Sequence, residues 1–410
     1  MSLKNNKYLF ERSGGQVNDG ISIIIPTFNG GEIFKQCLNS LVTQEYSGEI
    51  QIIVIDSGSK DETVHNAIAV GAEVTIIDSK DFHHSRTRNQ AVKLAKHAKV
   101  ILMVQDAIPI GNKWIQHLTD SFNEYDIVAA YGKQVPHMDA DLFARFEVDY
   151  HSQYLGDKPV IQSIESMEIL DSLSFDDALR RIRFDNVCAI YSRDHLLKYP
   201  FPDVPFGEDM AWAMEVMKNG HKVLYNPEVK VHHSHNRSSE YRFKRAIIDT
   251  IVCAEILGRT KQDLSFLDYN DVMVISKETT DLINEMYNEV TSSKMDNTLR
   301  QNTSYLRSVF KNSLIKKFVW IAFKNLKRGS FDKVLKLGIK KTFENHMRYV
   351  LSYIKENYPN CKNEELLSVI DQIAASMQGG LFGEVYVSHK ANGNIPSNLE
   401  EMITANSRGV

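Results

Sequence analysis

Cysteines are few in this sequence, and long apolar runs are absent. Four of the 410 residues are cysteines and no two have CxxC spacing, so neither a zinc knuckle nor a disulfide framework is expected. The longest apolar runs, such as 52–55 and 100–104, are far shorter than the ~20 residues that span a bilayer. The first ten residues lack the apolar core of a signal peptide. A reducing cytoplasm is therefore the expected location.

Two nucleotide-binding motifs are also missing. No GxGxxG follows the first predicted strand and no GxxxxGKS/T occurs, which disfavours a dinucleotide-binding enzyme and a P-loop NTPase. The formal net charge of −4 argues against a uniformly basic nucleic-acid binder. What is present, 43% apolar and 24% charged residues, is typical of a folded protein, and the length suits two or three domains.

Strands and helices alternate from residue 21 onward. Apolar strands separated by helices of about 10–15 residues indicate βαβ units, so the sequence predicts an α/β fold with a mostly parallel sheet. The expected strands are 21–25, 50–55, 73–77, 100–104, 127–135, 186–191, 222–225 and 229–231. The expected helices between them are 32–44, 61–70, 85–97 and 210–219.

Beyond about residue 237 the apolar spacing becomes helical. Helices are expected at 241–257, 279–306, 314–354 and 363–377. The expected organisation is an N-terminal extension at 1–20, an α/β domain at 21–260 and a helical C-terminal domain at 261–410.

Polar residues follow three of the predicted strands directly. In an open parallel sheet, ligands bind outside the carboxyl ends of the strands, so these residues are candidates for a binding site. Helix caps and turns are the alternative explanation for any one of them. The three segments are Pro26-Thr27-Phe28-Asn29, Asp56-Ser57-Gly58-Ser59 and Gln105-Asp106-Ala107.

Together with three further motifs, these segments resemble a known family. PTFN at 26–29 and VIDSGSKDET at 54–63 are similar to inverting glycosyltransferase family 2, which has the nucleotide-sugar-binding GT-A fold. The combination with DFHHSRTRN at 81–89, QDAIP at 105–109, FGED at 206–209 and HSHN at 233–236 resembles the bacterial rhamnosyltransferase branch, which uses dTDP-L-rhamnose. The resemblance covers about residues 20–250.

The resemblance implies a donor site at the strand ends. Thr27 and Asn29 would lie near the base and ribose, and Asp56 would accept a hydrogen bond from N3–H of thymine or uracil. Arg88 would stabilise the diphosphate leaving group, and Asn89 would hold the ribose or the neighbouring loop. A helix cap remains the alternative role for Asp56, and a solvated helix face the alternative for Arg88. The other expected donor-site residues are Pro26, Ser57 and Gln105.

A divalent metal, Mg²⁺ or Mn²⁺, is the implied cofactor, with Asp106 as its ligand. Val104 stands where the family's DxD motif has its first acid, which leaves a single carboxylate. His233 is the expected second ligand and His235 the alternative. Surface histidines without a ligand are the other explanation.

Asp209, next to Glu208, is the implied general base. It would take the proton of an acceptor hydroxyl that attacks C1 opposite the leaving dTDP, inverting the anomeric centre to an α-L-rhamnoside. The alternative is a favourable acidic charge at the start of a helix. Trp114, Trp212 and the segment 139–185 are candidates for the acceptor side, with core packing as the alternative for both tryptophans.

Residues 311–348 contain eleven Lys and Arg against two acidic residues, a net charge of +9. An amphipathic helix there would dock on the inner face of the plasma membrane, where a lipid-linked saccharide acceptor would be found. A solvated basic face or a homodimer contact is the alternative. No RNA module is recognised, so nucleic acid is not expected. The rival functions are a transferase for UDP-GlcNAc, UDP-galactose or UDP-glucose, and a non-catalytic nucleotide-sugar-binding scaffold.

Overall fold

The structure is a computed structural model that describes residues 20–292 and 328–407. Within these residues the strands are β1 (Ile21–Thr27), β2 (Ile50–Asp56), β3 (Glu73–Ile76), β4 (Lys99–Met103), β5 (Ile108–Pro109), β6 (Ala129–Val135), β7 (Val160–Gln162), β8 (Cys188–Ser192) and β9 (Val223–His232). The helices up to the end of the sheet are α1 (Gly31–Val42), α2 (Thr63–Ala69), α3 (His84–Leu94), α4 (Trp114–Glu124), α5 (Leu142–Leu155), α6 (Met167–Ser172), α7 (Phe175–Ile182), α8 (Arg193–Lys198) and α9 (Glu208–Lys218). They are followed by α10 (Ser239–Leu257), α11 (Tyr269–Thr291), α12 (Arg328–Asn357), α13 (Asn363–Ala391) and α14 (Ser397–Asn406).

The strands form one sheet in the order β3-β2-β1-β4-β8-β6-β9-β5, with β7 paired to β9. β1 lies parallel to β2 and β4, and β2 lies parallel to β3. Every residue from Ile21 to Ile25 is buried, as expected for a strand covered by helices on both faces. These pairings bring the carboxyl ends of β1, β2 and β4 to one edge of the sheet, where Thr27 pairs with Asp56.

The other half of the sheet sends further residues to the same edge. β8 runs antiparallel to β4 and β6, and Cys188 pairs with Met103, so the residues just before β8 arrive where β4 ends. β6 and β9 are parallel, and Val135 pairs with His232 at their carboxyl ends. The two strands expected at 222–225 and 229–231 are one strand, β9, with an irregularity opposite Gly132.

The segment 139–185, a candidate for the acceptor side, is packed into the fold. It contains the helices α5, α6 and α7, and α5 packs against β6 and the C-terminal helices. Phe143 and Phe146 of α5 are buried in the core formed with those helices. Trp114 and Trp212 are also fully buried, so both belong to the core and neither offers a sugar-binding surface.

The C-terminal helices pack directly on α10. Gly379 and Gly383 of α13 face α10, and a Cβ added at Gly383 would lie 2.7 Å from the Thr250 side chain, so glycine allows the two helices to approach closely. α10 supplies Ile247 to the helical core and Leu257 to the core of the sheet region. The boundary expected at residue 260 therefore falls beside a helix that both parts share, and the division into domains stays a proposal.

The expected basic segment is described only in part. Residues 311–327, with the membrane-docking face expected there, lie outside the described residues, as do 293–306 of the helix expected at 279–306. Residues 328–348 belong to α12, where Arg348 pairs with Glu289 and Glu344 at 2.8 and 3.0 Å. Among the described helices, none is both long enough and apolar enough to cross a bilayer.

Candidate active site

The loop after β1 is joined to the loop after β2. Asn29 adopts a φ of +45°, and its N–H donates to Ser59 Oγ (2.7 Å) while its Oδ1 accepts from Lys60 N–H (2.9 Å). Gly30 N–H donates to Thr63 Oγ1 at 2.7 Å. In this arrangement Asn29 holds the two loops in register.

Asp56 lies beneath these loops with no exposed surface. One carboxylate oxygen accepts from Thr27 Oγ1 (2.8 Å) and Ser59 Oγ (2.5 Å), and the other accepts from Gly58 and Ser59 N–H at 3.0 and 2.8 Å. Two carboxylate oxygens offer about four acceptor positions, and all four are used. The structure therefore gives Asp56 a loop-organising role and does not support the expected hydrogen bond to a base, whereas the neighbouring Ser57 faces open space.

That space is a cavity of about 510 Å³ at the carboxyl edge of the sheet. Six of the residues expected at the donor or metal site line it, namely Pro26, Thr27, Ser57, Arg88, Gln105 and Asp106. Its other lining residues are Phe28, Ser79, Phe82, His84, Val104, His235 and Arg237. The cavity is therefore built from the ends of β1, β2 and β4, the start of α3 and the segment after β9.

Gln105 fixes the shape of one wall. Its side-chain oxygen accepts from Phe28 N–H (2.9 Å) and its amide donates to Phe28 O (3.1 Å). The paired hydrogen bonds leave the Phe28 ring half exposed at the cavity wall. Phe28 thus presents an aromatic face beside the polar strand ends.

Arg88 joins the cavity to the acid pair of α9. Its Nη1 donates to Glu208 Oε1 at 2.8 Å, and both side chains are almost fully buried, with 5% and 6% exposed. Burial alone would raise the pKa of Glu208, but the Arg88 guanidinium and further partners hold this pKa below its usual value. Glu208 is therefore an ionised partner of Arg88.

Asp209 has the opposite electrostatic environment. Burial, followed by the charges of Glu208 and Asp185, raises the pKa of Asp209 to about 7. Its oxygens accept from Asn186 N–H (2.9 Å) and Met210 N–H (2.8 Å), which orient the carboxyl group. A carboxyl group with a pKa near 7 can take a proton at neutral pH, as a general base must.

The segment before α9 is anchored to α3. Asn89 exchanges two hydrogen bonds of 2.9 Å with the backbone of Phe201, and Arg86 Nη2 pairs with Asp203 at 2.5 Å. Asn89 therefore holds the neighbouring loop, one of the two roles expected for it. α3 in this way supplies Arg88 to the cavity and also fixes the approach to Glu208.

Asp106, His233 and His235 form a group that could hold a metal ion, with one ligand atom from each within 4.8 Å of the others. His233 Nε2 lies 3.7 Å and His235 Nδ1 3.4 Å from the Asp106 carboxylate. Burial lowers the pKa of both histidines, that of His235 to about 4, so both rings are neutral and can offer lone pairs at pH 7. The two histidines expected as alternatives thus lie together.

This sheet, with its acidic strand end and acid pair at one edge, is the framework of a glycosyltransferase with the GT-A fold. The family model for glycosyl transferase family 2 matches residues 22–167. The O-antigen chain rhamnosyltransferase RfbN of Salmonella typhimurium is 34% identical over 230 residues, which cover 55% of this chain and 69% of that protein. The chain belongs to glycosyl transferase family 2, and the expected fold class and enzyme class are confirmed.

Two further comparisons have lower identity. The O-antigen chain rhamnosyltransferase WbaN of Salmonella anatum is 27% identical over 228 residues, covering 55% of this chain and 69% of that protein. The solved structure of a mannosyltransferase from Pyrobaculum calidifontis with GDP-mannose and Mn²⁺ is 16% identical, with a TM-score of 0.41 over 55% of this chain and 61% of that one. A likeness this distant supports no inference about ligands here.

Several site residues were not expected from the sequence. Arg237 and Phe82 line the cavity, and Asn186 holds both acids, since its side chain also donates to Glu208 Oε1 at 3.1 Å. Phe82 lies within the DFHHSRTRN motif at 81–89, so its position in that motif could have indicated a place at the site. Nothing in the local pattern around Asn186 marks it, because its role depends on β8 reaching the edge where β4 ends.

Proposed function

We propose that this protein is a metal-dependent inverting glycosyltransferase that moves L-rhamnose from dTDP-L-rhamnose to a saccharide or lipid-linked acceptor of a surface polysaccharide. The observation that carries the proposal is the cavity lined by Arg88, Asp106 and His235, in which Arg88 also pairs with Glu208 of the acid pair. Asp209, the other acid of this pair, has a pKa of about 7. The names of two relatives, both O-antigen chain rhamnosyltransferases, support the choice of sugar.

The transfer is a single displacement. Asp209 accepts the proton of the acceptor hydroxyl while the oxygen of that hydroxyl forms a bond to C1 of rhamnose. The C1–O bond to the diphosphate breaks on the opposite face, and its electron pair leaves with dTDP. One base is enough for this reaction and no covalent intermediate forms, so the configuration at C1 inverts.

The leaving group needs positive charge. Arg88 lines the cavity, so its guanidinium can place positive charge beside the diphosphate. Arg237 is a second guanidinium on the cavity lining, held 4.5 Å from the Tyr241 ring. A divalent cation held by Asp106, His233 and His235 would neutralise the charge that develops on the diphosphate. Two imidazoles beside one carboxylate suit Mn²⁺ better than Mg²⁺.

A nucleotide base would meet Ser57, Thr27 and the half-exposed Phe28 in this cavity. The Ser57 hydroxyl can donate or accept, and the Phe28 ring offers a stacking surface. Because Asp56 is fully hydrogen-bonded within the protein, we assign it to holding Thr27 and Ser59 in place. A UDP-sugar would fit the same groups, so a competition assay between donors is needed to identify the preferred one.

The test is a donor-binding and turnover assay with the purified full chain. We expect dTDP-L-rhamnose to bind in calorimetry with Mn²⁺ and to outcompete UDP-glucose, UDP-galactose and UDP-GlcNAc. Absence of binding by dTDP and dTDP-L-rhamnose, with and without metal, would refute the proposal. Binding without turnover in the presence of a competent acceptor would favour the scaffold.

The base assignment has its own test. Asp209→Asn should abolish transfer while leaving dTDP binding unchanged, because the amide cannot take the proton. Asp194→Asn is the matched control, since Asp194 is exposed at the opposite end of β8. Retained turnover in Asp209→Asn would refute the assignment of Asp209 as the general base. Membrane docking through 311–348 and a homodimer remain predictions, to be checked by liposome sedimentation and light scattering.

A further inference from the structure

Behind His233 lies a row of polar side chains that come from four parts of the chain. His233 Nδ1 is 2.8 Å from Gln134 Oε1, and Gln134 Nε2 is 3.3 Å from Asp185 Oδ2. Asp185 Oδ2 is in turn 2.9 Å from His151 Nε2. The row therefore crosses from the end of β9 through β6 to the segment before β8 and to α5.

The chemistry of the row fixes the direction of each hydrogen bond. Burial alone would raise the pKa of Asp185, but His151 and Arg183 hold it at about 2, so at neutral pH this carboxylate only accepts. The Gln134 amide must then turn its NH₂ group, which only donates, toward Asp185. Its oxygen consequently faces His233 and can only accept, so Nδ1 of His233 carries the hydrogen.

A neutral imidazole has one N–H, so Nε2 of His233 is left with a lone pair. That nitrogen lies 3.7 Å from Asp106 Oδ1, which is also an acceptor. Two acceptors facing each other repel unless a cation or a proton lies between them. The row therefore turns the electron-rich side of His233 toward Asp106.

We propose that Gln134, oriented by Asp185, is a positioning residue that holds His233 in the Nδ1–H tautomer and so presents Nε2 to a cation shared with Asp106. The cation is the one of the proposed function, and this part of the inference rests on it. Gln134 contacts neither the donor cavity nor the acid pair, and it acts only through His233.

The same segment also holds the other end of the site. Asn186, the residue after Asp185, donates its N–H to Asp209 and its side-chain amide to Glu208. Its Oδ1 accepts from the buried Tyr191 hydroxyl. Asp185 and Asn186, which are neighbours in the chain, thus orient both His233, through Gln134, and Asp209, the proposed general base.

The first test needs no substitution. In the metal-free wild-type full chain, the two-bond ¹H–¹⁵N spectrum should show His233 as the Nδ1–H tautomer, with the signal assigned by its loss in His233→Gln. A wild-type His233 with hydrogen on Nε2 would overturn the proposal.

The second test removes the side-chain oxygen of Gln134 that accepts the hydrogen bond from His233. Gln134→Leu should let His233 populate both tautomers and should weaken the binding of Mn²⁺ alone, measured by calorimetry, by about 10- to 100-fold. Gln153→Leu is the matched control, because Gln153 is an exposed glutamine of α5 whose side chain, among the described residues, donates only to the Tyr353 hydroxyl. Gln134→Glu should rescue the tautomer, since a proton shared with Asp185 restores the same pattern. Unchanged His233 tautomer or unchanged Mn²⁺ affinity in a folded Gln134→Leu would overturn the proposal.

The two proposals can fail separately. If wild-type protein binds no Mn²⁺, the cation of the proposed function and the cation-presenting role of His233 are both refuted. The tautomer of wild-type His233, and its change in Gln134→Leu, would still decide whether Gln134 positions the ring. If Mn²⁺ binds and its affinity falls in Gln134→Leu but no sugar is transferred, the positioning role of Gln134 stands and the proposed reaction fails.

Discussion

Replacing Glu208 by Gln should lower the pKa of Asp209 and move the acid limb of the pH–rate profile to lower pH. Burial is the first cause that raises the pKa of Asp209 to about 7, and the charge of Glu208 is the second. Glutamine keeps the shape of the side chain and an oxygen that can accept from Arg88, but it carries no charge. The substitution therefore removes one named electrostatic contribution and leaves burial in place.

The size of the effect follows from the local charges. Removing a like charge beside a buried carboxyl lowers its pKa by on the order of one unit, about 1.4 kcal/mol. Arg88, now without an ionised partner at 2.8 Å, adds positive potential in the same direction. A base must be deprotonated to act, so activity rises with pH through its pKa. The midpoint should move from near pH 7 to about pH 6.

The assay is dTDP release from dTDP-L-rhamnose, recorded as kcat/KM between about pH 5 and pH 9, with a ¹³C titration of the Asp209 carboxyl as a direct check. Glu215→Gln is the control, because Glu215 is an exposed acid on the same helix whose carboxylate accepts only from Asn219 within the described part of the chain. It should leave the midpoint unchanged. An unshifted midpoint in Glu208→Gln, with the fold intact, would refute the electrostatic account of the Asp209 pKa.

Three further substitutions test the packing, the pH dependence of stability and the metal group. Gly383→Ala should destabilise the protein by about 1–3 kcal/mol in thermal unfolding, since its Cβ would lie 2.7 Å from the Thr250 side chain. Gly380→Ala is the control: its Cβ would lie 3.9 Å from Thr250 Oγ1, an ordinary contact distance, so this substitution should be neutral or stabilising. Burial raises the pKa of Glu384 to about 7, so wild-type stability should fall as pH rises from about 4.5 to 7. Glu384→Gln should therefore be more stable than wild type by up to about 3 kcal/mol above pH 7 and equal to it below pH 4, and equal curves at pH 8 would contradict this. Asp106→Ala should weaken Mn²⁺-dependent dTDP binding in calorimetry, and an unchanged titration would place the metal elsewhere.

The parallel half of the sheet could be predicted because its signals are local. β1, β2 and β4 are mainly apolar strands with polar residues at or just after their ends, and β1, β2 and β3 are each followed by a helix of the predicted alternation. Parallel pairing then brings the strand ends to one edge without further information, which is why Thr27 and Asp106 were candidates for the site where they are found. Arg88 was expected there from the family resemblance.

The remainder depends on contacts between distant parts of the chain. Asp56 was expected from the family resemblance to bind a nucleotide base, and the sequence does not show the four donors that surround its carboxylate. Gln134, Asp185 and His151 have no common motif, and only the folding of β6, β8 and α5 brings them together. The helix expected to end at 377 continues to Ala391, because the glycines at 379 and 380 lie where α10 approaches. In isolation those glycines signal a helix end.

The position of α10 changes how the C-terminal helices relate to the chemistry. Gly207, the residue before Glu208, adopts a φ of +73°, and a Cβ there would lie 2.8 Å from Val252 of α10. The turn that places Glu208 and Asp209 is therefore packed against α10, and the other side of α10 is packed against α13. Removing α13 would expose the face of α10 that carries Ile247, so α10 would lose the support that holds it against this turn. For this reason we interpret the C-terminal helices as part of the structure that positions Asp209, the proposed general base, rather than only as an attachment to a membrane or partner.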